Sequence, residues 1–115
     1  MSFYDLPTEM EERARSVHGD ALIFDGAVSV MGFEKEEETE IQAFLDGGVT
    51  GGNISLATSE TDFAIAIDNI SKFKRLIERN PKTLALCVST ADLVDCKRDG
   101  KFGSVIHFQN TTPIL

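Results

Sequence analysis

Short apolar runs alternate with helix-like segments along this 115-residue chain, and this alternation most constrains its fold. Strands are predicted at 21–26, within 49–58 (best at 53–57), at 84–88 and at 103–108. Strands this short and this apolar are typical of a sheet that is covered on both faces. Because helices alternate with them, the pattern predicts an α/β fold with a parallel sheet and right-handed crossovers.

Segments with apolar residues three and four positions apart lie before and between the strands and predict helices. The longest spans about 61–79, with Thr61 or Ser59 as its cap and Asn80-Pro81 at its end. The other helices are predicted at 8–17, at about 34–46, and from Ser89 or Thr90 through Cys96, closed by Gly100.

Two glycine positions and one capping pattern refine these boundaries. Thr8 and Glu11 have the spacing of a capping box, and Gly19 is predicted to stop the first helix. The glycine-rich stretch 47–52 follows the second helix and precedes a strand. We interpret it as helix termination and a tight turn, because a phosphate-binding loop would lie between a strand and the next helix.

The predicted order is the N-terminal helix 8–17 followed by βαβαβαβ, and no linker or repeat divides residues 1–115 into two domains. Two closures fit this order: an open doubly wound sheet, or about half of a (β/α)8 TIM-type barrel of ~250 residues. Length alone does not choose between them.

Charge and composition exclude several classes of function. The net charge is −8, and residues 1–40 carry all of it. Such a field repels phosphates, so we expect no binding to nucleic acid or to anionic membranes. No apolar stretch approaches the ~18 residues of a membrane span, and there is no signal peptide. We therefore expect a cytoplasmic protein whose two cysteines, Cys87 and Cys96, are reduced, buried structural thiols.

Dinucleotide, P-loop, Cys-x-x-Cys and His-Glu-x-x-His motifs are all missing. Functional groups of a parallel α/β fold gather where the strands end. The candidate polar site there comprises Asp25, Ser29, Asn53, His107, Gln109 and Asn110. Several of these have a structural alternative: His107 as a hydrogen-bonded core residue, Asp25 as a turn cap, and Asn53 as a partner of neighbouring backbone. His18 ends the first helix, where it suits the helix dipole.

Four segments occur in the order found in the membrane (renal) dipeptidase family. They are 21–26 after an N-terminal helix, the glycine stretch 47–52, 68–81 and 90–101. Over about 20–113 the chain resembles that family. The resemblance implies the N-terminal half of a distorted (β/α)8 barrel, with two zinc ions at the strand ends and hydrolysis of dipeptides or related amides by a metal-activated water.

The chain departs from this family at the metal ligands. The family's first strand ends in Asp-Gly-His-x-Asp, where this chain has Ala27 for the histidine and Ser29 for the aspartate. Gln109 matches the bridging glutamate, within a run, 108–113, that resembles a divergent branch of the family. The remaining two histidine ligands would lie downstream of Leu115. We therefore expect no zinc in this chain, although zinc is the cofactor of the family.

Three hypotheses follow. In the first, the chain is a fragment of a dipeptidase-like hydrolase, inactive alone, whose full-length parent takes a small peptide-like substrate. In the second, it is a non-catalytic binding or assembly module derived from the half-barrel. In the third, it is an unrelated open-sheet α/β domain. Under the half-barrel hypotheses, a second copy or the missing C-terminal half would cover the open sheet edges.

Overall fold

A computed structural model describes residues 5–29 and 37–115, and it confirms the alternation of strands and helices in an α/β fold. The elements are α1 (Thr8–Asp20), β1 (Phe24–Ser29), α2 (Glu37–Asp46), β2 (Gly51–Ser55), α3 (Phe63–Arg79), β3 (Leu84–Leu86), α4 (Thr90–Asp99), β4 (Phe102–His107) and a 3-10 turn (Thr112–Ile114). Residues 34–36 of the second predicted helix lie outside the described residues. Within the described part of the chain, no helix is long and apolar enough to cross a membrane.

All strand pairs are parallel, and the strands lie in the order β1-β2-β4-β3. The chain therefore passes from β2 to the far edge of the sheet, forms β3 there, and returns to place β4 in the middle. Glycines permit this central pairing, because Gly51 of β2 lies opposite Gly103 of β4 and neither brings a side chain between the strands. A bulge between Asp25 and Val28 interrupts the β1–β2 ladder.

The main core lies between one face of the sheet and the helices α2 and α3. Its buried members are Val28, Ile54, Leu56, Phe73, Leu84 and Phe102. The rings of Phe44 and Phe102 pack with centroids 5.4 Å apart. On the opposite face α4 covers the glycine pair, since a Cβ on Gly103 would lie 2.7 Å from Leu93 Cδ2. The sheet is thus covered by helices on both faces, as its apolar strands predicted.

All four strand predictions differ from the structure at their ends. β3 stops at Leu86 rather than at residue 88, and β4 spans Phe102–His107 rather than 103–108. The first strand begins at Phe24 rather than at residue 21: the Ile23 amide donates to the Thr50 side chain, and the Ile23 carbonyl accepts from the Thr50 and Gly51 amides. In the 47–52 stretch, Gly48 has φ +81° and ends α2 as predicted. Gly51 and Gly52 do not belong to a turn but form the first residues of β2, where neighbouring strands leave no room for side chains.

Several predicted helix ends were wrong by one to three residues. Thr8 is the first helical residue, Pro7 precedes it without a side-chain cap, and the predicted Thr8–Glu11 capping box does not form. The helix passes through Gly19 to Asp20. Asp62 rather than Thr61 or Ser59 caps α3, because its carboxylate accepts from the Ile65 amide at 2.8 Å.

Of the two predicted caps of α4, Ser89 and Thr90, the structure confirms Ser89. The Ser89 hydroxyl accepts from the Asp92 amide, while the Asp92 carboxylate accepts from the Ser89 amide, and Gly100 closes the helix in the left-handed conformation. The hydrogen bond from the Val88 amide, followed by those with the Ser89 side chain and amide, lowers the pKa of the Asp92 carboxyl.

We expect Ser89→Ala and Asp62→Ala each to lower the free energy of unfolding by about 1 kcal/mol, because each removes one side-chain cap from an exposed helix end. Urea titration followed by circular dichroism measures both. As a control, Ser16→Ala alters an exposed hydroxyl in the interior of α1, away from either helix end. A loss of the same size in this control would contradict the capping explanation.

Candidate functional site

Polar residues of three neighbouring strands meet in one row at the carboxyl end of the sheet. Ser29 of β1 pairs with Ser55 of β2, and Ser55 pairs with His107 of β4. Two inter-strand spacings place the outer members of this row ~10 Å apart at their Cα atoms. Asn53 precedes Ser55 by two residues and therefore shares its face. The structure thus brings together three of the predicted site residues, Ser29, Asn53 and His107, and adds Ser55.

Ser55 was missed in the sequence although a signal for it was present. The run Asn53-Ile54-Ser55 alternates polar, apolar and polar, and Ile54 is buried in the main core. Strand alternation then places Asn53 and Ser55 together on the opposite face.

The bulge of β1 is held by two side chains of the predicted site. The Asp25 carboxylate accepts from the Ala27 amide at 3.0 Å, and the Asn53 side chain donates to the Gly26 carbonyl at 3.2 Å. Asp25 lies on the Gly52 face of the sheet, opposite to Asn53. Asp25 therefore shapes the strand that carries Ala27 and Ser29, but it does not share the face of the polar row.

His107 contributes an unusual group to the row. Its side chain is half-buried, and its Nε2 atom is shielded from water without a hydrogen-bond partner in the described part of the chain. Such an orphaned nitrogen is costly unless something else satisfies it. The alternative interpretation, a core histidine that is hydrogen-bonded by its neighbours, does not hold for this nitrogen. A partner for Nε2 would have to come from outside the described residues.

The two predicted residues beyond β4 differ in role. The Gln109 side chain is exposed. The backbone amide of Gln109 donates to the Ala57 carbonyl, which extends the strand pairing past His107. Asn110 is half-buried, and its side-chain carbonyl accepts from the Thr112 amide at 3.0 Å. Asn110 thereby holds the turn that leads into the C-terminal 3-10 helix, while Gln109 remains at the carboxyl end of the sheet, where the row ends.

The donors in this region do not fit a pair of zinc ions. At the three matching positions Ala27 offers only a methyl group, and Ser29 and Gln109 are neutral residue types. Zinc sites need imidazole, thiolate or carboxylate ligands. Across residues 5–29 and 37–115 no group of three or more His, Cys, Asp or Glu side chains could hold a metal ion. No reaction step through zinc is therefore assigned to this site.

A cavity of about 520 Å³ lies on the other face of the sheet, between it and α2 and α3. Its lining is mostly apolar and includes Val28, Phe44, Phe73 and Phe102. Ser104 is fully buried there, and its hydroxyl has no hydrogen-bond partner among the described residues. This cavity is separate from the polar row, because Ser104 and His107 point to opposite faces of β4.

Comparison with known proteins places the fold. No protein-family profile matches the chain, and no curated protein does. Among solved structures, the chain is similar to an amidohydrolase from Pseudomonas aeruginosa, with a TM-score of 0.76 and 28% identity over 87% of this chain. It is also similar to the probable dipeptidase PvdM from the same organism, with a TM-score of 0.73 and 14% identity over 95% of this chain.

The match covers 29% and 33% of those two structures, so the chain spans about a third of their length. The predicted fold class, a parallel α/β sheet of four strands corresponding to the N-terminal part of a TIM-type barrel, is confirmed. What the comparisons support is a dipeptidase-like amidohydrolase fold.

Proposed function

We propose that this chain forms the first part of the barrel of a dipeptidase-like amidohydrolase, related to the membrane dipeptidases, and that it supplies one wall of a site for a small peptide-like amide. The single observation that carries the proposal is the match to the Pseudomonas aeruginosa amidohydrolase over 87% of the chain. The position of the polar row supports it, because active sites of parallel barrels lie at the carboxyl ends of the strands.

The chemistry of the row suits binding and orientation more than hydrolysis. Asn53 donates to the Gly26 carbonyl, and the Ser55 hydroxyl donates to the Ala57 carbonyl at 3.5 Å. The Ser55 oxygen as an acceptor and the buried His107 Nε2 are then the groups that could hydrogen-bond an amide. In the related enzymes a metal pair activates the water, whereas Ala27, Ser29 and Gln109 cannot hold that pair. We therefore propose that the chain alone is inactive.

Charge supports the partners and the location that we propose. A net charge of −8 disfavours nucleic acid and anionic membranes as partners. A cytoplasmic protein with reduced thiols remains our proposal for the location, and a small peptide-like molecule remains the proposed substrate of a full-length parent.

A non-catalytic assembly module is the second candidate, and exposed apolar side chains favour it. Val88 after β3 is 87% exposed, and Phe63 at the start of α3 is 62% exposed. β3 pairs only with the first three residues of β4, so the edge of β4 beyond Ser104 lacks a strand partner within the described residues on that side. A second copy or the remainder of a barrel would cover these surfaces.

Two measurements test the proposal. We expect the purified chain to hydrolyse no member of a panel of dipeptides and N-acyl amino acids, with or without added zinc. Hydrolysis that co-purifies with the chain and is lost in His107→Ala would contradict the proposed inactivity.

The second measurement is a chimaera in which residues 21–115 replace the matching segment of the Pseudomonas aeruginosa amidohydrolase. We expect a folded, monodisperse protein with a cooperative thermal transition. The matched control grafts the equivalent segment of PvdM, which has the same fold at lower identity to this chain. If the control folds and the chimaera aggregates, the assignment of this chain to that part of the barrel is wrong.

A further inference from the structure

Two cysteines lie side by side outside the polar row. Cys87 directly follows β3, Cys96 lies in α4, and their sulfur atoms are 3.6 Å apart. Both side chains are buried, with 2% and 4% exposed. The sulfurs lie over Gly103, where an added Cβ would come within 2.8 Å of Cys87 Sγ and 3.3 Å of Cys96 Sγ. The sequence predicted buried thiols but not that they would be in contact.

We propose that Cys87 and Cys96 form an intramolecular disulfide when a small disulfide such as oxidised glutathione is present, and that this bond fastens α4 to the end of β3. A bond of ~2.05 Å requires the sulfurs to approach by about 1.5 Å, which is within reach of side-chain rotation. The absence of a side chain at Gly103 leaves the sulfurs free to move along that face.

The redox step is balanced by ordinary thiol–disulfide exchange. One cysteine thiolate attacks oxidised glutathione, forms a mixed disulfide and releases one glutathione thiolate. The second cysteine attacks the mixed disulfide, closes the internal bond and releases the second glutathione. The protein loses two electrons and two protons, and one oxidised glutathione becomes two reduced molecules.

The resting protein holds the pair reduced and protected. Burial, the hydrogen bond with the Cys96 sulfur and the nearby Asp92 carboxylate raise the pKa of Cys87 to about 12, so the attacking thiolate is scarce. Oxidised glutathione cannot enter the packed face. The pair therefore reacts when α4 detaches transiently from the sheet, and local opening of this kind sets the rate.

The capping box of α4 controls that opening. Ser89 and Asp92 hold the first turn of α4, and the same Asp92 carboxylate accepts from the Val88 amide, next to Cys87. Removing the cap at a cost of ~1 kcal/mol should increase the open population about fivefold. Asp62 caps α3 by a similar bond away from the pair, which makes Asp62→Ala a matched control.

The experiment incubates the whole chain with oxidised glutathione, blocks free thiols under denaturing conditions and measures intact mass over time. We expect the loss of two hydrogen masses without adduct, a thermal midpoint ~5–15 °C above that of the reduced chain, and oxidation about fivefold faster in Ser89→Ala but unchanged within twofold in Asp62→Ala. Cys96→Ser should instead stop at a glutathione adduct on Cys87.

Three results would overturn the proposal: stable glutathione adducts on both cysteines of the unaltered chain, disulfide-linked dimers in place of the internal bond, or equal acceleration by the two cap variants. The last result would show that global unfolding rather than opening of α4 exposes the thiols. None of these outcomes depends on hydrolase activity.

Discussion

Replacing Gly51 with alanine is expected to leave little folded protein. Gly51 lies at the start of β2, paired with Phe24 on one side and Gly103 on the other. A Cβ there would lie 2.3 Å from the Gly103 carbonyl oxygen and 2.9 Å from Leu93 Cδ2. The first contact is with backbone in the middle of the sheet, so relief requires β2 and β4 to move apart.

We estimate a loss of about 3–5 kcal/mol from this overpacking, at the upper end for single substitutions. A domain of this size has a total stability of about 5–15 kcal/mol, so such a loss removes much of the stability available. Urea titration measures the loss where the variant is soluble, and the soluble yield measures it otherwise.

Two other glycines provide graded controls for Gly51. At Gly103 an added Cβ would meet the ends of three side chains rather than backbone, namely Leu93 Cδ2, Cys87 Sγ and Cys96 Sγ, so we expect about 1–3 kcal/mol for Gly103→Ala. At Gly26 nothing lies within 4 Å, and Gly26→Ala should cost less than 1 kcal/mol. If Gly26→Ala destabilises the chain as much as Gly51→Ala, close approach between strands is not the reason.

Local sequence signals predicted the helices and strands well. The features that they missed depend on pairing between residues that are distant along the chain. The stepwise apolar pattern of α3 and the cap at Ser89 arise within a few residues, so they are readable in the sequence. The start of β1 is different, because Ile23 and Phe24 take their positions from Thr50 and Gly51, which are distant along the chain. Likewise, the central place of β4 depends on contacts among three strands, which periodicity does not encode.

In the candidate site, too, pairing between strands decides what the local sequence pattern does not. Asp25 was predicted to join the candidate site because it lies near the end of the predicted strand 21–26. The bulge adds a residue between Asp25 and Val28, so the alternation breaks and Asp25 lies on the Gly52 face. His107 and Asn53 lie on one face of the sheet, because β2 and β4 pair without such an irregularity.

Introducing the ligand types of the family that the sequence resembles at Ala27, Ser29 and Gln109 is expected to create a zinc site. The proposed alignment of Ala27, Ser29 and Gln109 with a histidine, an aspartate and a glutamate makes a direct prediction. We expect the unaltered chain to retain no stoichiometric zinc after exposure to zinc and passage over a chelating resin. The triple variant Ala27→His, Ser29→Asp, Gln109→Glu should retain about one zinc per chain, since three such ligands and a water complete a tetrahedral site.

The matched control makes the same three exchanges of residue type at exposed positions on three different helices, α3, α1 and α2: Ala64→His, Ser16→Asp and Gln42→Glu. It has the same composition and charge as the triple variant, so it corrects for non-specific attraction of the cation. We expect the strand-end variant to bind zinc at least tenfold more tightly than this control, measured by competition with a chelating dye and by metal mass spectrometry. Equal binding by the two variants would mean that the three positions do not converge, and the inferred descent from a metal site would then be wrong. Stoichiometric zinc in the unaltered chain would contradict the substitution argument itself, because Ala27 offers no donor and some other set of side chains would have to hold the ion.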